Sequence, residues 1–74
     1  MNMNENDRRR TYRAEQLKCS VRLRYGWGHI GYVHEHLPDG TKREVVSCGY
    51  YASRAEALAD VAQMRLDLLA GKEI

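Results

Sequence analysis

From residue 17 to residue 25 apolar and polar side chains alternate without a break: Leu17, Cys19, Val21, Leu23 and Tyr25 against Lys18, Ser20, Arg22 and Arg24. Successive side chains of an extended chain point to opposite faces, so this run dictates a strand with one apolar and one largely cationic face. Two turn signals extend the constraint to a sheet. Gly26-Trp27-Gly28 supplies a tight turn, and a second strand is expected over about residues 29–36. In Leu37-Pro38-Asp39-Gly40-Thr41, proline presets φ and glycine tolerates positive φ where the chain re-enters the sheet. A third strand should then run over about residues 42–51. As a three-residue loop, this turn sets Leu37 opposite Thr41, Glu35 opposite Arg43, Val33 opposite Val45 and Gly31 opposite Ser47. The other face collects Ile30, Tyr32, Val46, Cys48 and Tyr50, the more apolar set and hence the expected core. A slip of one residue exchanges the two faces.

Ser53-Arg54-Ala55-Glu56 reads as a capping box, with serine at the helix start and glutamate three residues on reaching back. The helix should run over residues 54–70 and stop at Gly71. One face gathers Ala55, Leu58, Ala59, Ala62, Leu66 and Leu69 and is assigned to the sheet. Glu56, Asp60 and Asp67 form an acidic band opposite. A narrower stripe of Ala57, Val61, Met64 and Leu68 lies on another side. It has two readings: cover by residues 11–16, or a dimer or partner surface that includes Trp27. The expected architecture is α+β: a three-stranded antiparallel sheet packed on one C-terminal helix (βββα), spanning residues 11–74. Residues 1–10 lack any apolar pattern and are expected to form a flexible basic arm.

Seventy-four residues make one small domain with one modest core. Cys19 and Cys48 are too few for a secreted disulfide framework and read as buried free thiols. No apolar run approaches the ~18 residues of a membrane span, and the polar start is not a secretory signal, so a cytoplasmic location is expected. His29, His34 and His36 lack any metal-ligand spacing, so neither a metal nor a cofactor is expected. No nucleophile motif or phosphate loop is present, which argues against an enzyme or a small-molecule substrate.

The charge is unevenly placed. Between residues 8 and 24 lie seven basic side chains (Arg8, Arg9, Arg10, Arg13, Lys18, Arg22, Arg24) and one acid, Glu15. From Tyr25 onward there are five basic residues and seven acids. A segment of +6 thus precedes a body of −2, and clustered Arg and Lys release counterions on meeting phosphates. Trp27, between two glycines, is read as folding back over the core. Left exposed, it would anchor bases or a protein partner.

The Arg-Arg-Arg arm, three short strands, a Gly49-Tyr50-Tyr51 lead into a Ser53-capped helix and the ending Leu68-Leu69-Ala70-Gly71-Lys72 resemble the arm-binding DNA domain of lambda-type tyrosine recombinases. Residues 49–57 are similar to the strand-to-helix junction of the ethylene-response type of DNA-binding domain. The resemblance implies a sheet face in the major groove and an arm on the backbone. It implicates Arg8, Arg9 and Arg10 in the arm, with Arg22, Arg24 and Arg43 on the sheet. The chain has no room for a recombinase catalytic domain.

The expected function is therefore a small DNA-binding accessory or regulatory protein of a phage or mobile element, with duplex DNA as partner. Arg8, Arg9, Arg10, Arg13, Lys18, Arg22, Arg24 and Arg43 would contact the nucleic acid, with Gly31, Val33, Val45 and Ser47 as the small residues that let bases approach. The alternative is a protein-binding inhibitor or adaptor, of the size phages use against host machinery, acting through Trp27, Val61, Met64 and Leu68. A homodimer on the same stripe and RNA binding by the basic face are further readings.

Overall fold

The computed structural model describes residues 12–72. The expected βββα architecture is present. A single 3₁₀ turn, Ala14–Gln16, leads into strands β1 (Leu17–Arg24), β2 (Gly28–His36) and β3 (Lys42–Tyr51), followed by helix α1 (Arg54–Leu69). The strands form one antiparallel sheet in the order β1-β2-β3. Arg8, Arg9 and Arg10 lie outside the described residues.

Both turns close where the glycine and proline signals place them. The amide of Leu37 donates to the Thr41 carbonyl at 2.8 Å, and Asp39 Oδ1 accepts from the Thr41 amide and hydroxyl at 3.0 and 2.6 Å. Those two bonds, the hydroxyl's first, hold the Asp39 carboxyl below its ordinary range. At the first turn the Trp27 amide donates to the Arg24 carbonyl at 3.0 Å. Gly28, at φ +112°, follows it, and a Cβ there would stand 2.6 Å from the Tyr51 carbonyl oxygen. Only glycine fits both conditions. Ser53 caps α1 by accepting from the Glu56 amide at 3.2 Å. The Glu56 carboxylate returns to the serine hydroxyl, at 3.0 Å, rather than to its backbone.

The helix sits on the apolar face of β1, as expected, and Ile30, Cys48 and Val46 are in or against the core, but on β2 it meets the side carrying Gly31 and Val33 rather than Tyr32. A Cβ on Gly31 would come within 2.8 Å of Val61 Cγ1 and 3.1 Å of the Ala57 carbonyl oxygen, so β2 meets α1 at its glycine. Cys19 Sγ lies 3.7 Å from the Val61 carbonyl, and Cys48 Sγ accepts from the Gly31 amide at 3.0 Å. The inner face of β2 is therefore Gly31, Val33 and Glu35, while Tyr32, His34 and His36 alternate outward. Ile30, opposite Tyr50, is nevertheless buried in a second core cluster with Cys48 and Ala57. Two register irregularities in the β2–β3 pairing account for part of the difference. Glu35 pairs with Arg43 as expected, but Val33 pairs with Val46 rather than Val45, and Ser47 pairs with Tyr32. Each bulge adds a residue to β3 and turns the side chains beyond it over. Cys48 stays inward for this reason, while Tyr50 turns out.

The helix is rotated correspondingly. Its buried residues are Ala57, Val61 and Leu68, with Met64 partly buried against them. Leu58 and Leu66, expected in the core, are exposed, as are Ala55, Ala59 and Ala62. Val61 joins Tyr12, Leu17, Val33, Val45 and Leu68 in the main core cluster. Tyr12, just ahead of the 3₁₀ turn, thus closes one end of the core. Arg65 secures that closure, its Nε donating to the Leu17 carbonyl at 2.9 Å and Nη2 to the Ala14 carbonyl at 2.8 Å.

Candidate nucleic-acid interface

The outer face of the sheet follows from the strand register. Lys18, His34 and Glu44 form one row across the strands, and Ser20, Tyr32 and Ser47 the next. Arg22, Ile30 and Tyr50 form a third row, and Arg24 with Gly28 the last. The alternation in β1 lays Lys18, Arg22 and Arg24 along one edge of this face, all exposed. Lys42, at the start of β3, adds a fourth cation across the sheet. None of the four forms an ion pair with another described residue. A shallow groove of about 410 Å³ runs between the strands, lined by Ser20, Val21, Arg22, Tyr32, His34, Lys42 and Glu44. Glu44 is the one acid on that lining.

Aromatic rings accompany the cations. Tyr32 and His34 stack at 5.8 Å between centroids, and Trp27 meets Tyr50 at 5.6 Å with a tilt of 38°. Trp27 is 72% exposed and does not cover the core, contrary to the expectation from its place between two glycines. The His34 imidazole is held below its ordinary value, chiefly by burial and then by the Lys42 charge, with Glu44 opposing.

Several expected site residues are elsewhere. Arg43 belongs to the inner face, where its Nε donates to Glu35 Oε1 at 3.0 Å. Glu35 is fully buried, so this guanidinium is committed to neutralising an interior carboxylate. Gly31, Val33 and Val45, expected as the small residues of the reading face, instead face or join the core. Arg13 is exposed at the head of the 3₁₀ turn, 3.6 Å from Glu15. Val61 and Leu68 are buried and Met64 packs on them, so these three cannot form a partner surface. Among the described residues no group of three His, Cys, Asp or Glu could hold a metal ion.

The residues missed by the sequence reading are Tyr32, Tyr50, His34 and Lys42. Their signal was present as the i, i+2 spacing of Tyr32 and His34, but it pointed to this face only once the inner face was known. No protein-family model, curated protein or solved structure matches this chain. Among the described residues no helix is long and apolar enough to cross a membrane.

Proposed function

We propose that this is a small DNA-binding accessory or regulatory protein that lays the outer face of its sheet against the nucleic acid. The observation that supports this reading is the coincidence, on one open face, of four cations without carboxylate partners among the described residues. Phosphate contacts by such side chains supply affinity that falls steeply with salt. The residues assigned to the contact are Lys18, Arg22, Arg24 and Lys42, with Arg8, Arg9, Arg10 and Arg13 as backbone contacts ahead of the domain. A place in a phage or mobile element accords with the resemblance described above.

Fluorescence anisotropy with labelled DNA at two salt concentrations tests this. The double variant Arg22→Ala/Arg24→Ala is expected to bind about tenfold or more weakly at low salt, with a shallower salt slope by roughly 0.9 per phosphate contact removed. Equal affinity of variant and wild type would take the sheet face out of the mechanism.

A second reading, a protein-binding inhibitor or adaptor, is favoured by the exposed helix face of Ala55, Leu58, Ala59, Ala62 and Leu66. It differs from the stripe expected from sequence. Replacing Leu58 and Leu66 by glutamate would abolish partner binding under this reading and leave DNA binding intact under the first.

A further inference from the structure

The outer face is unlike a surface built to enter a major groove. Groove entry asks for small side chains where the sheet backbone approaches base edges, and the expected Gly31, Val33 and Val45 turn inward. In their place the outward positions carry rings. His34 and Tyr32 stack two residues apart on β2, Tyr50 stands on β3 opposite Ile30, and Trp27 leans on Tyr50 from the turn. The rings thus run along the sheet from the His34 row to the β1–β2 turn. Lys18, Arg22 and Arg24 run beside them on β1, in the rows of His34, Ile30 and Gly28.

The turn holds Trp27 where it is. The hydrogen bond from its backbone amide to the Arg24 carbonyl and the obligatory glycine at position 28 define the loop, and the indole is left 72% exposed rather than folded inward. Tyr50 beside it is 40% exposed. Large aromatic side chains usually bury most of their area, so two in contact on an open face mark a surface for a flat apolar partner.

We infer that Trp27 and Tyr50, with Tyr32 farther along the sheet, form a stacking track for unpaired nucleobases, so that the preferred ligand is a single strand rather than a duplex. This rests on the nucleic-acid reading above and names its substrate class. The chemistry follows from the two components of the face. Cations along one side require an anionic partner, and open ring faces require a flat apolar one. An unpaired polynucleotide offers both at regular intervals, with bases free to stack and phosphates free to reach Arg22 and Arg24. In a duplex the base faces are occupied by their neighbours, and Trp27 would meet only backbone or groove edge. Base stacking tolerates every base, so little sequence preference is expected. DNA and RNA single strands share this chemistry.

Trp27 is the chain's one tryptophan, so its fluorescence reports directly on the site. The full-length protein is titrated with an oligothymidylate of about 12 nucleotides, the matching oligouridylate, a hairpin duplex and inorganic polyphosphate. Expected are quenching of Trp27 by a single strand, binding at least tenfold tighter than to the duplex, and no quenching by polyphosphate. Read by anisotropy of the labelled oligonucleotide, Trp27→Ala should weaken single-strand binding by roughly tenfold to a hundredfold, while Trp27→Phe should recover most of it. An unchanged thermal midpoint in both variants separates the site from the fold. Tighter binding of the uridylate supports the track and assigns it to RNA. Duplex binding as tight as single-strand binding, with Trp27 emission unchanged, overturns the track and leaves the nucleic-acid reading standing. Absence of binding to every polynucleotide overturns both.

Discussion

Gly31 is the residue on which the orientation of the molecule turns. Its missing side chain lets α1 approach β2 until Val61 and the Ala57 carbonyl occupy the space a Cβ would need. Gly31→Ala is therefore expected to destabilise by about 1–3 kcal/mol through overpacking, measured as a drop in the urea midpoint. Because one close neighbour is the Val61 side chain, adding Val61→Ala should be less costly in this background than in wild type. Strict additivity in the double-mutant cycle would show that the two do not meet. Glu35 makes a related point about charge. A glutamate alternating with Gly31 and Val33 reads from sequence as a surface residue, yet it is buried because Arg43 faces it across the strand pair.

The helix was legible as an element but not as a rotation. Ser53 and Gly71 bound it in the sequence, and it runs from Arg54 to Leu69 as the capping signals imply. Which side meets the sheet was not legible, because two apolar stripes compete and the wider one is exposed. The rotation is set by contacts distant in sequence: Arg65 to the Leu17 and Ala14 carbonyls, and the Tyr51 hydroxyl donating to Asp60 Oδ2 at 2.6 Å. These contacts turn Ala57, Val61 and Leu68 inward. Val61→Ala should cost about 2 kcal/mol, whereas Leu66→Ala, though it removes more apolar volume, should stay within about 0.5 kcal/mol. Chemical denaturation of the two variants side by side checks the assignment. A larger loss at Leu66 would restore the orientation read from the sequence.

Across the whole molecule, two groups of opposite behaviour shape the pH dependence of stability. His34 is held below its ordinary value near 6.5, so on acidification the unfolded chain takes up the proton first. Stability is then full above about pH 6.5 and falls as pH is lowered through the folded-state value, by at most about 1.4 kcal/mol per pH unit for one proton. Lys18, Arg22, Lys42, Glu44 and His36 surround this group in the outer face. Tyr51 titrates the other way. Its hydrogen bond to Asp60 raises it above the ordinary value of 10, so its contribution is full below about pH 10 and lost as pH rises through the folded value. His34→Gln should flatten the acid side of a plot of unfolding midpoint against pH, and Tyr51→Phe the alkaline side. An acid limb unchanged by His34→Gln would assign the proton uptake to other groups.

By itself the sequence determined what short-range chemistry determines. The Pro-Asp-Gly turn, the serine cap and the cationic edge of Lys18, Arg22 and Arg24 are all local patterns, and each holds in the structure. The alternation in β1 holds as far as Val21, beyond which Leu23 and Tyr25, expected on the buried face, are exposed. Tertiary structure alone decided which faces meet. Bulges in β3 turned Tyr50 outward while Cys48 stayed inside, and the Gly31–Val61 approach selected one of two plausible inner faces of β2. Facing depends on contacts between residues far apart in the chain, which periodicity along one element does not encode. The same decision that buried Gly31, Val33 and Glu35 left Tyr32, Tyr50 and Trp27 beside the cations, and so brought together the candidate site.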